Sequence, residues 1–354
     1  MSSPKTLTAR CHCGNTHFTL TLPTSILPLK VHLCHCTICR TVHGAPAAFH
    51  ADLPVDVQPD FIASSGWDKL TAYTHGKALS SRYFCTTCGC HIGDLGKEAG
   101  NWTISVSIFT TPNDNLWEIK EHIYTASTID GGLAALLPTI GDKEIKSWET
   151  DPNNTGDRVS TSPPHQNNDS DETLLAQCHC GGVSFTISRP QQDFISSPDS
   201  KGWIVPSQPT KWLASLDSCI DCRLVTGTHV ITWLFVPTSH ITPVPPANLL
   251  TGTMKSYKSS KDVYRTFCGK CGATVFFSDD SRPGIVDVAT GIIRSKNGFM
   301  LKDWAVWRTS RMASPGDGEK YDEVFTRSLT EGLRRWGVER FGGVREMEVG
   351  RALE

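Results

Sequence analysis

Ala9-Arg10-Cys11-His12-Cys13-Gly14 returns later in the chain as Ala176-Gln177-Cys178-His179-Cys180-Gly181. The likeness runs on past the motif: Phe18-Thr19-Leu20 answers to Phe185-Thr186-Ile187, and Pro23 to Pro190. Cys39-Arg40 is matched by Cys222-Arg223, and Cys85, Cys88 and Gly89 by Cys268, Cys271 and Gly272. The interval from Cys39 to Cys85 equals that from Cys222 to Cys268. Arg82 and Phe84 precede one CxxCG as Arg265 and Phe267 precede the other. Self-similarity at fixed spacing marks a tandem duplication.

The copies divide the cysteines into two kinds. Both keep an outer CxC and a CxxC, but where the first copy has Cys34 the second has Asp217. The outer pairs therefore vary independently of the middle motif. The simplest account is a four-cysteine site from CxC plus CxxC, made of Cys11, Cys13, Cys85 and Cys88 in the first copy and Cys178, Cys180, Cys268 and Cys271 in the second. A zinc ion in such a site clamps an early strand to a late turn and contributes on the order of 10–16 kcal/mol. Gly89 and Gly272 suit the tight turn after CxxC, where positive φ is needed.

Cys34, Cys36 and Cys39 then remain in the first copy. Three thiolates on one short loop can face a divalent ion and leave the fourth position free, the mark of a catalytic zinc. Alternatively they form a closed site completed by Cys90 or a histidine, or a redox cluster. Asp217, Cys219 and Cys222 of the second copy can also bind zinc, as a less thiophilic set. Cys90 faces Ala273 in the second copy and is expected to be a buried free thiol. His12, His35 and His179 are expected to point away from any metal. Arg40 and Arg223 are expected to serve a metal-bound sulfur, a substrate carboxylate or a structural ion pair.

A chain of 354 residues suits two domains, and 38% hydrophobic with 20% charged residues is the composition of a globular protein. A formal net charge of −2 gives no general attraction for nucleic acid or anionic membrane. Met1–Arg10 lacks the features of a secretory signal, and no run of about 18 apolar residues offers a membrane span. The expected compartment is the cytoplasm or the nucleus, where 14 cysteines in short motifs read as metal ligands.

The pattern is mainly β. His17–Leu22 and Trp102–Ile108 alternate apolar and polar residues, and Val230–Val236 reads as a buried strand. From Tyr321 to Phe341, Val324, Phe325, Leu329, Leu333 and Trp336 recur at helical intervals, predicting a helix against the second domain. Asp130-Gly131-Gly132 reads as a turn before Leu133–Leu137, and Gln191–Lys211 as an inserted loop folded over the second domain with Trp203 and Trp212. The expected organisation is a first zinc domain at 7–147, a disordered linker at 148–173, a second zinc domain at 174–320 and a C-terminal helical extension at 321–354.

The order CxCG, CxCxxCR, FCxxCG resembles that of the glutathione-dependent formaldehyde-activating enzymes and the centromere protein V group, in both copies. The resemblance implies two tandem β-tent-like domains, each around one structural zinc. It also implies a second zinc at Cys34, Cys36 and Cys39, where glutathione and formaldehyde combine or separate. Asp217 departs from the pattern and points to a supporting second copy. The leading expectation is a zinc-dependent carbon–sulfur lyase joining or parting a small thiol and an aldehyde. The alternatives are a non-catalytic zinc-stabilised binding or scaffold module and a thiol-redox protein. The oligomeric state has no signature in the sequence.

Overall fold

The computed structural model describes residues 3–151 and 172–347. It is mainly β, with several sheets and a C-terminal helix. The larger sheet of the first half runs in the order Lys146–Ser147, Trp117–Ile123, Leu29–Cys34, Ala48–Asp52, Trp102–Ser105, His91–Gly96, Ser80–Cys85, Leu70–Tyr73. The second half follows the same path through Ala305–Trp307, Trp212–Asp217, Ile231–Pro237, Ile285–Ala289, Thr274–Asp279, Val263–Cys268 and Met254–Ser260. In each, the strand leading into the middle cysteine motif has one parallel and one antiparallel neighbour. A smaller sheet opens each half, built on the hairpins Lys5–Arg10 with His17–Leu22 and Thr173–Gln177 with Ser184–Ser188.

The helices are α1 (Thr37–His43), α2 (Gly132–Leu136), α3 (Gln192–Ile195), α4 (Ile220–Thr226), α5 (Pro315–Tyr321) and α6 (Glu323–Phe341). Both α1 and α4 start on a cysteine whose sulfur accepts a backbone N–H, and both end on a glycine with positive φ. Those glycines set the distance between the halves. A Cβ on Gly44 would collide with the carbonyl oxygen of Thr274, and one on Gly227 with that of His91, its counterpart in the other half. Gly89 and Gly272 have φ of +80° and +83°, as the tight turn requires, and they too face across the junction, against Phe267 and Phe84.

One apolar core is continuous through both halves, joining Leu20, Phe49 and Ile104 to Leu174, Leu234 and Val288. Trp212 is buried in a strand and Trp203 is buried beside Phe235, so 191–211 does fold over the second half. The linker expected at 148–173 falls largely on residues outside those described.

Two expectations need correction. Trp102–Ile108 is not one strand. Pairing stops at Ser105, whose Oγ accepts from Ser107 N and donates to the Gly227 carbonyl across the junction, turning Val106–Ile108 into a short 3₁₀ helix. The C-terminal helix does not rest on the second half alone. Gly332 of α6 lies against the Leu136 carbonyl of α2, Phe325 packs on Phe49, and Asp322 accepts from Trp117 Nε1 and Asn113 Nδ2, each at 2.9 Å. It covers the first half, and Gly337 against Thr309 ties it to the second.

Gly227→Ala places a methyl group into the His91 carbonyl at a positive φ. It is expected to cost about 3 kcal/mol or more of unfolding free energy in urea titrations. Gly14→Ala, with no atom within 4 Å of the added carbon, keeps only the cost of its φ.

Candidate metal centres

The outer pairs of each half converge. Cys11, Cys13, Cys85 and Cys88 form one set, and Cys178, Cys180, Cys268 and Cys271 another, with all sulfurs of a set within 4.8 Å of one another. Cys11–Cys13 and Cys13–Cys85 sulfurs are 3.4 and 3.6 Å apart, and Cys178–Cys180 and Cys180–Cys268 sulfurs 3.6 and 3.5 Å. A zinc ion bound to four sulfurs at about 2.3 Å needs sulfurs roughly 3.8 Å apart, so both sets fit it with small adjustments. Backbone N–H groups of Thr16, Gly182, Val183 and Lys270 donate to these sulfurs, as suits thiolates. Hydrogen bonds with Cys11 and then Cys13 pull the Cys85 thiol far down and push Cys88 up.

Cys34, Cys36 and Cys39 form a third set, again within 4.8 Å. Cys34 ends the strand Leu29–Cys34, Cys36 caps α1 and Cys39 lies one turn in. Among the described residues no further His, Cys, Asp or Glu atom joins them. Hydrogen bonds from Cys34 and Cys39 hold the Cys36 thiol well below its ordinary value, while the bond to Cys36 raises Cys34. Ala48, Ile123, Ile38 and Tyr124 make an apolar surround. Cys90 is buried away from this set, with its Sγ 3.6 Å from the His91 carbonyl, and burial raises its pKa.

The three motif histidines turn away from the sulfurs. His35 bonds His122 at 2.9 Å. His12 bonds Tyr257 at 2.7 Å, and His179 bonds Tyr73 at 2.7 Å. The last two contacts are mirror images across the junction, for Tyr73 and Tyr257 pair with Arg82 and Arg265 at equivalent register. The same loops donate backbone bonds to the opposite helix, His12 N to Leu224 O and His179 N to Thr41 O.

Arg40 and Arg223 reach neither sulfur nor carboxylate. Arg40 donates to the carbonyls of His35 and Ser127, and Arg223 to those of Ser107 and Phe109. The arginines at the sulfurs are instead Arg82, 3.8 Å from Cys39 Sγ, and Arg265, 3.3 Å from Cys222 Sγ. Burial opposes the charge on Arg82, yet Asp94 and the cysteines keep it protonated more firmly than usual. Arg82 also donates to His75 Nδ1 at 3.4 Å, and His75 stacks edge-on against His179 of the second half. The signal for these arginines was the repeated Arg-x-Phe-Cys. Alternation along the strand places Arg82 on the same face as Phe84, pointing into the interior.

In the second half Asp217, Cys219 and Cys222 also lie within 4.8 Å of one another. Their surroundings are rebuilt. Phe277 takes the place of Asp94 beside the arginine, and the carboxylate reappears one strand over as Asp287, opposite Phe277 where Thr103 stands opposite Asp94. Asp287 pairs with Arg282 at 2.9 Å.

Tandem β-rich halves carrying cysteine clusters that can bind zinc define the class of this protein. The sequence model of the glutathione-dependent formaldehyde-activating enzyme family matches residues 6–127 and 205–309, and the chain belongs to that family. No curated protein matches the chain. Among the described residues no helix is long and apolar enough to cross a membrane.

Cys85→Ser and Cys268→Ser should each release one equivalent of zinc and cost about 5 kcal/mol or more. Metal content and urea unfolding of the purified variants check this.

Proposed function

We propose that the chain is a carbon–sulfur lyase-type enzyme that forms or cleaves the adduct of a small thiol, of the glutathione kind, and an aldehyde of the formaldehyde kind. The reacting site is Cys34, Cys36 and Cys39 in a first domain, 7–147. A second domain, 174–320, supports it, the two being joined by 148–173 and followed by the extension 321–354. The observation that carries this reading is the contrast in donor number: four thiols converge in each outer set and three in the middle one. The family's own description names the thiol and the aldehyde. Fourteen unpaired thiols suit a reducing compartment such as the cytoplasm.

Zinc held by the three thiolates would supply a soft cation that keeps a bound thiol deprotonated near neutral pH. The chain's own groups do the rest. Arg82, fixed by Asp94 3.9 Å away, spreads positive charge over the Cys39 sulfur. Ile38, Ile123 and Tyr124 pack beside the sulfurs and keep bulk water from them. In the forward direction a C–S bond forms, the carbonyl π pair moves to oxygen, and that oxygen takes up the proton lost by the thiol. No electrons are exchanged with a third party, so the reaction calls for no redox cofactor.

The test is metal content and glutathione calorimetry on wild type and on Cys36→Ser combined with Cys39→Ser. The double variant is expected to stay folded, lose one equivalent of zinc and lose the heat of glutathione binding. If metal content is unchanged and neither protein binds a thiol, the reading fails. Arg82→Met should retain the metal and lower kcat/KM by roughly tenfold to a hundredfold, the effect of removing one buried charge-assisted donor.

A further inference from the structure

The middle motif of the second half has changed chemistry rather than merely lost a ligand. Cys219-Ile220-Asp221-Cys222 is a CxxC, and its two cysteines differ in access. Cys219 is partly exposed beside the half-exposed Ile220, whereas Cys222 is 2% exposed. Cys222 N donates to Cys219 Sγ at 3.2 Å. Cys222 Sγ donates to Asp217 Oδ2 at 3.3 Å, and the buried Arg265 donates to Cys222 Sγ at the same distance. Asp217 is itself aimed by accepting from Cys219 N at 2.9 Å. An accessible thiol, a buried thiol behind it, a carboxylate on the buried sulfur and a guanidinium to steady its thiolate are the parts of a thiol–disulfide exchange centre.

The first half supplies the comparison. There the position of Asp217 is a third thiol, Cys34, and all three sulfurs are buried. Three thiolates are a metal set. Two thiols and a carboxylate are a poorer set for a soft cation, and with the carboxylate accepting from one thiol they also have the parts of a dithiol with a base.

We propose that Cys219 and Cys222 form a redox-active dithiol that exchanges with small-molecule disulfides of the glutathione disulfide class. Cys219, as thiolate, attacks one sulfur of the disulfide RSSR. The S–S bond breaks, RS⁻ leaves and takes up the proton released by Cys219, and a mixed disulfide Cys219–S–S–R remains. Cys222 passes its proton to Asp217 Oδ2 and attacks the Cys219 sulfur. The second RS⁻ leaves and is protonated from Asp217. The dithiol loses two electrons and becomes the Cys219–Cys222 disulfide, and RSSR gains them and becomes two RSH. With excess RSH the sequence runs backwards. The activity is separate from that of Cys34, Cys36 and Cys39 and does not depend on it.

The full zinc-loaded chain is equilibrated with graded ratios of reduced to oxidised glutathione, quenched with an alkylating agent and mapped by peptide mass spectrometry. A Cys219–Cys222 disulfide is expected to form and reverse with the ratio, while the other twelve cysteines remain reduced. Cys222→Ser is expected to trap glutathione on Cys219. Asp217→Asn should slow closure of the disulfide by at least about tenfold. Asp217→Cys, restoring the three-thiol pattern, should abolish the disulfide and add one equivalent of zinc. The proposal is overturned if the wild-type pair stays reduced at every ratio, or if Cys219→Ser releases a zinc ion from the wild-type complement. The wild-type titration decides the matter even where a variant fails to fold. Its outcome leaves glutathione calorimetry at the first-half site untouched.

Discussion

Backbone meets backbone where the two halves join. The glycines ending α1 and α4 lie so close to the carbonyls of Thr274 and His91 that no side chain fits between them. That approach brings each CxC loop under the opposite half, where its histidine finds a tyrosine and its N–H finds a helix carbonyl. It also ends the strand at Ser105, by offering the Gly227 carbonyl to its hydroxyl. Polar groups buried at such a junction must be paired or they destabilise it, and these pairings are reciprocal. The halves pack as one body because these main-chain contacts sit within an apolar core that both halves share.

Such packing shapes the chemistry at the middle motifs. His75 and Arg82, beside the first-half thiols, are backed by His179 from the second half, and burial together with His75 lowers the pKa of His179 to about 4. A neutral ring there adds no charge to compete with Arg82. The divergence between the halves is concentrated around the same motifs. The histidines His43 and His50, buried near Cys39, correspond in position to Thr226 and Trp233. Asp94 gives way to Phe277. Both sets have apolar neighbours, but His43, His50 and Asp94 of the first half are replaced by Thr226, Trp233 and Phe277 in the second.

The cysteine sets and the β-rich architecture were legible because a duplicated chain carries its own comparison. Asp217 against Cys34 separated two kinds of site before any coordinates were needed. What could not be read were features made by the junction. Alternation over Trp102–Ile108 rightly put Ile104, Val106 and Ile108 inside, but Ser105 and Ser107 are fully buried as well, because the junction covers them and a hydroxyl bond across it ends the strand. For Arg40 and Arg223, which follow the motif directly, a metal-bound sulfur was one of three partners open, beside a substrate carboxylate and a structural ion pair, and neither sulfur nor carboxylate is what they meet. On a helix, the residue after Cys39 points about 100° away from it, and the arginine that does reach the sulfur arrives from a strand more than forty residues later.

The way α6 lies across the first half bears on how the protein is made. Asp322 accepts from Trp117, and Gly332 rests on the Leu136 carbonyl, so part of the cover of the first half is encoded near the far end of the chain. As synthesis proceeds from the N-terminus, the first half emerges with that flank bare, and it stays bare until the whole second half has been translated. Cys11, Cys13, Cys85 and Cys88 all lie in that first half, so a metal bound by them would cross-link the nascent sheet before α6 exists.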